Sequence, residues 1–210
     1  MSLDEPTARR AAADPMVDVV FDVAGTALPR EHRAALRDAL ATWLPWLADD
    51  AHIGIHPLKA TTIDGDTALL SKRSRLVLRV GASRVAAVRA LRGHDLNVGG
   101  HSIRLAEERV KPLAPSATLS AAFVATIARD DLAHQRVVER MLDHITMPRR
   151  FICGRLSQIR CGDAVLTGAS VVLHELAPAD SLRLQSIGLG PHRAFGCGLF
   201  IPYKAISGLD

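Results

Sequence analysis

The sequence predicts an α+β protein made of two consecutive units, each with the element order βαββαβ. Short segments in which apolar residues alternate with a period of two are separated by segments in which they recur with a helical period. The whole succession then begins again after a proline-containing connector at 111–116. The chain has 210 residues, enough for one large domain or two small ones, so its length alone does not decide between them.

The first unit begins with a strand at 16–24, where Asp18 and Asp22 interrupt a run of apolar residues at a spacing that leaves one face solvated. Residues 25–29 break this strand. A helix over 30–47 follows, because its apolar positions recur with helical spacing between two prolines. The remaining elements of this unit are a short strand at 53–58, a strand at 74–80, a helix at 83–91 with Ser83 as its N-cap, and a hairpin of 95–98 with 102–105.

The second unit repeats this order. Its predicted elements are a strand at 118–128, a helix at 131–145, a hairpin of 150–160 with 165–175, a short helix at 180–187 and a last strand at 198–204. Two tandem ferredoxin-like units are therefore the predicted architecture. The predicted boundaries are a flexible leader at 1–15, a first domain at 16–112 and a second domain at 117–210.

The charge of the chain permits nucleic-acid binding without establishing it. There are 26 Lys and Arg against 22 Asp and Glu, a net charge of +4, and most of the cations are arginine. Aromatic residues make up only 4% of the chain, so extensive base stacking is not expected. The three cysteines, Cys153, Cys161 and Cys197, have no metal-ligand spacing. No signal-like or membrane-spanning run is present, so we expect a cytoplasmic protein. We also expect no cofactor and no metal.

A glycine-rich run at 188–198 is the feature most informative about function. Its glycines, Gly188, Gly190, Gly196 and Gly198, permit positive φ values and let backbone amides point at an anion. An isolated run of this kind can equally be a tight structural turn. Binding of a nucleoside triphosphate is disfavoured, because the run lacks a Gly-Lys-Ser/Thr ending and precedes a strand, whereas such loops precede a helix.

This run, its place near the C-terminus and the doubled βαββαβ pattern together resemble the CRISPR-associated endoribonucleases that cut precursor CRISPR RNA within its repeats. These enzymes are part of the repeat-associated mysterious protein superfamily, and the sequence is most similar to its short myxan-subtype branch. The resemblance covers roughly residues 16–206 and includes the stretches 44–47, 54–58, 180–185 and 199–204. It implies paired ferredoxin-like domains that cut the repeat without metal and leave 2′,3′-cyclic phosphate and 5′-hydroxyl ends. CRISPR repeat RNA is then the partner, and other CRISPR effector subunits are further candidates.

The resemblance also implies which residues contact RNA. The four glycines would close on the RNA backbone, with Arg193 on a phosphate, His192 beside it and Lys204 neutralising a further phosphate. Two groups of arginines are candidate RNA tracks, although charged runs of this kind are often only solvated faces. They are Arg73, Arg75 and Arg79 in the first unit and Arg149, Arg150 and Arg155 in the second.

Cleavage by a ribose 2′-hydroxyl needs a base for that hydroxyl and an acid for the leaving 5′-oxygen, and histidine fits both roles near neutral pH. His32, in the first turn of the first helix, is the first candidate, and we expect it to face away from the apolar stripe. His56 is the second candidate and Tyr203 the third, although a strand tyrosine is often a packing residue. His52 and His56 could share a metal ion, but without a neighbouring carboxylate or thiolate they make a poor site.

Two other functions stay open from the sequence. One is a non-catalytic CRISPR RNA-binding subunit of the same superfamily, which would keep the glycine-rich run without depending on a histidine. The other is a small ligand-binding ferredoxin-like protein, in which the run would only be a turn and RNA would not bind.

Overall fold

The computed structural model describes residues 14–203, in which two antiparallel sheets follow one another along the chain. The first unit also contains a small third sheet. The elements of the first unit are β1 (Met16–Ala24), β2 (Ala27–Pro29), α1 (Arg33–Ala41), β3 (Gly54–Ile55), β4 (Thr61–Asp64), β5 (Thr67–Leu69), β6 (Arg75–Gly81), α2 (Val85–Arg89), β7 (Asp95–Val98) and β8 (His101–Pro112).

The main sheet of the first unit has the strand order β3-β6-β1-β8-β7, with antiparallel neighbours throughout. Without β7, which forms a hairpin with β8 at the edge, this is the order of a ferredoxin-like fold. The core of this unit joins the inward face of the sheet to α1 and α2. Its fully buried side chains include Val19, Phe21, Leu36, Leu40, Leu78, Val88 and Ile103.

The second unit has the same topology. Its elements are β9 (Leu119–Thr126), α3 (Asp131–His144), β10 (Phe151–Cys153), β11 (Ser157–Cys161), β12 (Ala164–Leu173), α4 (Pro178–Ile187) and β13 (Ile201–Pro202). The sheet order is β10-β12-β9-β13, and β11 pairs with β12. Its separate core includes Leu119, Val124, Val138, Leu142, Val171, Leu184 and Phe200. The predicted fold class, α+β with two tandem ferredoxin-like units, is confirmed.

A buried arginine fastens the two units together. On β6, Arg79 lies on the opposite face from Leu78, as the alternation predicts, but it is only 1% exposed. Its guanidinium pairs with Asp18 at 2.7 Å and donates to the carbonyl oxygens of Gln185, at 3.0 Å, and Phe200, at 2.7 Å. The expectation that Arg79 forms part of an RNA track is therefore wrong, because the second unit covers this end of the face.

Several elements of the first unit differ from the prediction. The helix predicted at 30–47 is α1 followed by a separate 3-10 turn (Pro45–Ala48), and the strand predicted at 53–58 has only two residues. The small sheet of β2, β5 and β4 was not predicted, because its strands have only three or four residues. Such short strands carry too few alternations to be recognised.

Parts of the prediction at the two ends of the chain lie outside the described residues, and the predicted cap of the second helix is not observed. Residues 1–13 of the proposed leader and the last residue of the predicted final strand, Lys204, lie outside the described residues. Asp14 accepts hydrogen bonds from the backbone N–H and the hydroxyl of Ser83, at 3.0 and 2.6 Å, so Ser83 does not cap the helix as predicted. The domain boundaries near 112 and 117 stay a prediction. Among the described residues, no helix is long and apolar enough to cross a bilayer.

Candidate active site and RNA interface

Three segments meet where the two units touch, and we call this place the seam: the first turns of α1, residues 52–58, and the glycine-rich loop at 188–198. Arg33 donates to the carbonyl oxygen of Phe195 at 2.5 Å. The guanidinium of Arg37, one helical turn later, lies 4.7 Å from the centre of the Phe195 ring. Ala194 packs against the core of the first unit. The loop of the second unit is thus held against the first helix.

The glycines of the loop have positive φ values, as predicted, but most of them serve internal packing. The N–H groups of Gly188, Gly196 and Gly198 donate to carbonyl oxygens of Leu184, Arg193 and Phe123. These amides do not form the predicted anion cradle. A Cβ at Gly196 would lie 2.6 Å from Cδ of Pro57, and one at Gly198 would clash with the carbonyl of Leu189. The exposed part of the loop is its tip at 190–192, where Gly190 and His192 reach solvent.

Arg193 does not contact solvent in the manner expected of a phosphate ligand. Its side chain is buried, and its guanidinium donates to the carbonyl oxygens of His52, at 2.9 Å, and Ser186, at 3.1 Å. Gly188 makes room for this guanidinium, because a Cβ there would collide with Nη1. Burial and then the charge of Arg79 lower the pKa of Arg193 to about 10. The expectation of a phosphate contact is corrected: Arg193 clamps the loop to the segment that carries His52.

His32 lies at the seam, but it is buried, so the expectation that it faces away from the apolar stripe is wrong. Its Nδ1 lies 3.1 Å from the carbonyl oxygen of Pro29 and 3.2 Å from that of Arg30, and its Nε2 accepts the N–H of Leu58 at 3.1 Å. These partners assign the proton to Nδ1 and the lone pair to Nε2. Burial lowers the pKa of His32, so the imidazole is neutral at pH 7, and both of its nitrogens are occupied.

The other two catalytic candidates are less well placed. Burial, followed by the charge of Arg79, lowers the pKa of His56 to about 4, and the charge of Arg193 acts in the same direction. The Nε2 of His56 is buried and has no hydrogen-bond partner within the described residues. Tyr203 is exposed, but its N–H donates to the carbonyl oxygen of Thr118, at the far end of β9 from the loop contact at Phe123. Five residue steps along the chain, at about 3.3 Å each, separate these contacts by roughly 16 Å, so the structure does not bring Tyr203 to the seam.

The structure adds residues to the seam that sequence reasoning missed. His52, which the sequence analysis considered only as a metal partner of His56, is exposed, and its backbone is held on both sides. Its N–H donates to Asp50 at 2.9 Å and its carbonyl accepts from Arg193. The sequence does not indicate this position of His52, because Arg193, which donates to its carbonyl oxygen, is 141 residues away. The spacing of Arg33 and Arg37, four residues apart on one helix face, could have been noticed.

The remaining arginine candidates do not form one track. Arg75 pairs with Asp22 at 2.7 Å, and Arg150 pairs with Glu175, so these side chains are already matched with carboxylates. Arg149 pairs with two acidic residues of α3. Arg73 and Arg155 are exposed in different units. None of these five arginines has a hydrogen bond to the glycine-rich loop among the contacts of residues 14–203.

Across residues 14–203, no three His, Cys, Asp or Glu side chains are grouped closely enough to hold a metal ion. The three cysteines are free thiols. His52 and His56, which the sequence placed on one face of a strand, differ in burial, since His52 is exposed while the Nε2 of His56 is enclosed.

Known proteins are similar to this chain in sequence. A family model described as Cas6 Crispr matches residues 17–205 of this chain. A curated relative, the CRISPR-associated endonuclease Cas6 of Myxococcus xanthus (strain DK1622), is 29% identical over 187 residues, which are 89% of this chain and 81% of the relative.

Solved structures share the fold. A structure described as CRISPR associated protein Cas6 is similar with a TM-score of 0.60 and 10% identity, over 90% of this chain and 100% of its own. A Cas6-related protein from Pyrococcus furiosus is similar with a TM-score of 0.57 and 9% identity, over 89% of this chain and 98% of its own. At such low identity these likenesses support the tandem ferredoxin-like fold and nothing about individual residues.

Proposed function

The chain belongs to the Cas6 family of CRISPR proteins, and from that premise we propose that it is a metal-independent endoribonuclease that cuts precursor CRISPR RNA within its repeats. The 2′-hydroxyl of one nucleotide attacks the adjacent phosphorus, and the 5′-oxygen of the next nucleotide leaves. The products are a 2′,3′-cyclic phosphate and a 5′-hydroxyl. The partner is CRISPR repeat RNA, with other CRISPR effector subunits as further partners, and the activity takes place in the cytoplasm.

One observation carries this proposal: the contact between the glycine-rich loop and the first turns of α1 through Arg33 and Phe195. It sets residues 193–196 of the loop against the start of α1, which follows His32, and against the segment that carries His52. An RNA strand that the loop holds would then lie near two imidazoles, and imidazole is the side chain suited to proton transfer near neutral pH. The positive charge of Arg33 at the same place stabilises the negative charge that develops on the phosphorane.

We assign the base to His32. Its imidazole is neutral at pH 7 because burial lowers its pKa, and a base must be unprotonated. Its lone pair at Nε2 now accepts the N–H of Leu58, so the 2′-hydroxyl must replace that N–H before the proton can move. His52 is the acid in this assignment, since its exposed imidazole stands on a backbone fixed by Asp50 and Arg193 and can give a proton to the leaving 5′-oxygen.

A second candidate function is favoured by one specific observation. Both ring nitrogens of His32 are satisfied by backbone groups, as in a histidine that only stabilises the fold. A subunit that holds CRISPR RNA without cutting it would need no more than that. Single-turnover cleavage separates the two functions, because only the enzyme converts bound repeat RNA into two fragments.

The test uses purified full-length protein and a transcript of the CRISPR repeat encoded in the same genome. In EDTA we expect one cut per repeat, and a strict requirement for Mg²⁺ would contradict the mechanism. A single 2′-deoxy substitution just before the cut should abolish cleavage while binding persists. Continued cleavage of that substrate would exclude attack by the 2′-hydroxyl.

A further inference from the structure

Acidic and basic residues share one face of α3, at spacings of three and four residues. The acidic residues Glu139 and Asp143 both pair with Arg149, at 3.1 and 2.5 Å. Arg136 and Arg140 are exposed on the same face, and among residues 14–203 no carboxylate forms an ion pair with either of them. Arg129, just before the helix, is also exposed, and no ion pair of it is formed within residues 14–203. The positive charge of these three arginines is therefore available to a partner.

These arginines line three cavities that follow one another along α3. The first, of about 450 Å³, lies against the start of the glycine-rich loop and includes Gly188 and Gly190 in its wall. The second, of about 430 Å³, shares the wall residues Val137 and Arg140 with the first. The third, of about 420 Å³, shares Arg129 with the second and ends at the polar side chains of β11. We call these three neighbouring cavities together the α3 groove, and they are spread along a helix that is roughly 21 Å long.

The floor of the α3 groove is apolar while its rim is cationic. Next to the glycine-rich loop the floor is formed by five apolar side chains: Val137, Met141, Ile145, Ile187 and Leu189. Further along, Ile127 is 96% exposed, which is unusual for a side chain of that size in an uncovered surface. Asp130 is the one acidic side chain in the wall, and it is occupied in capping α3 through the N–H of Ala133 at 2.7 Å. Apolar surface beneath unpaired arginines suits a flexible polyanion that carries flat apolar groups.

We propose that the α3 groove binds a single-stranded segment of the RNA substrate, with its phosphates on Arg129, Arg136 and Arg140 and its bases on the apolar floor. This rests on the proposed function only in that the substrate is RNA. Single-stranded RNA fits better than a duplex, because unstacked bases can enter the cavities whereas paired bases cannot. The groove opens at Gly190, in the exposed tip of the glycine-rich loop, so a strand that leaves the seam can enter it directly.

The test measures affinity for a fluorescein-labelled repeat transcript by anisotropy between 50 and 300 mM KCl. The double variant Arg136→Gln/Arg140→Gln should weaken binding at least tenfold at about 0.1 M salt. It should also reduce the slope of log affinity against log salt by about 1.4, since two phosphate contacts on a single strand are lost. Arg136→Lys/Arg140→Lys keeps both charges and should keep the wild-type slope. The matched control is Arg149→Gln, which removes an arginine beside the same helix that is already paired with carboxylates.

The outcomes separate this inference from the proposed function. If the wild type cuts the repeat but the double glutamine variant binds with unchanged affinity and slope, the α3 groove does not hold RNA and the inference is overturned. It is also overturned if Arg149→Gln weakens binding equally, because the effect is then one of net charge. If the wild type neither binds nor cuts the repeat, the proposed function itself fails. Thermal melts establish that each variant is folded.

Photocrosslinking supplies a second measurement that does not depend on a variant. Transcripts that carry 4-thiouridine at single positions outside the cut site are irradiated on the wild-type protein, and the linked peptides are identified by mass spectrometry. We expect crosslinks within residues 127–145 from at least one flanking position. Crosslinks confined to the open faces of the two sheets, with none in 127–145, would contradict the inference.

Discussion

Acid should destabilise this protein through His56, which is enclosed at the seam beside Arg79 and Arg193. A proton on His56 would place a third positive charge next to two buried guanidinium groups, and Asp18 is the acidic residue that offsets them. Burial and then Arg79 accordingly lower the pKa of His56 to about 4, from about 6.5 in the unfolded chain. The folded state therefore binds this proton less readily than the unfolded state does.

The magnitude follows from the difference between these two pKa values. Between about pH 6.5 and pH 4 the unfolded chain carries one more proton at this site, so the free energy of unfolding falls as the pH falls, by roughly 1.4 kcal/mol per unit. Over the whole interval the loss from His56 is about 3 kcal/mol. His56 contributes this stability in full above pH 6.5 and no longer contributes it below pH 4. His32 and His134, whose pKa values burial also lowers, act in the same direction.

Urea unfolding followed by circular dichroism at pH 7, 6, 5 and 4.5 measures this loss. The His56→Gln variant isolates the contribution of His56, because the amide cannot take up the proton and the other histidines are unchanged. Between pH 7 and 4.5 the wild type should lose about 2 to 3 kcal/mol more than the variant does. His144→Gln, at an exposed position at the end of α3, is the matched control and should follow the wild type. Parallel curves for the wild type and His56→Gln would refute the reasoning.

Three further predictions follow from the seam. His32→Ala should lower the single-turnover rate by about two to four powers of ten, the usual contribution of a positioned base, and an unchanged rate would remove His32 from the mechanism. Arg193→Met should slow cleavage of saturating RNA by about a hundredfold through misplacement of His52, with little change in Kd. A raised Kd at an unchanged rate would instead indicate an RNA contact. Gly198→Ala should lower the free energy of unfolding by at least about 2 kcal/mol, because the new Cβ clashes with Leu189 and the residue keeps a positive φ. At Gly190 a Cβ has room, so Gly190→Ala should lower the free energy of unfolding by only about 1 kcal/mol. Urea unfolding measures both. Equal losses in the two glycine variants would contradict this.

The sequence predicted the long elements well because their patterns extend over many residues. The first strand has the predicted bounds, and α3 ends one residue before its predicted end. The short pieces between α1 and β6 were missed or misjudged, since β3 has two residues and β5 has three. Their position depends on pairing with strands far away in the chain, which a local pattern does not contain.

The sequence singled out the glycine-rich loop and His32, but it did not indicate what surrounds them. The glycine-rich loop does lie at the seam with His32, yet three of its four glycines are buried to let the chain approach Arg193, Pro57 and Leu189. Local sequence indicates that a glycine tolerates a positive φ. It does not indicate whether the space beside that glycine holds a ligand or another part of the same protein.

The local sequence around an arginine likewise does not indicate whether its side chain is free to bind a ligand. The net charge of the chain is therefore a poor guide to RNA binding. Arg79 and Arg193 look like phosphate ligands in the sequence, but carbonyl groups take up their hydrogen bonds. Arg79 donates to two carbonyl groups of the opposite unit, and Arg193 donates to one of the opposite unit and one of its own. Arg136 and Arg140 stand near acidic residues in the sequence and look neutralised, yet those carboxylates are bonded to Arg149. Only some of the arginines and lysines are therefore available to RNA, and the fold determines which ones. For this reason the dependence of binding on salt, variant by variant, measures the RNA interface better than the charge of the chain does.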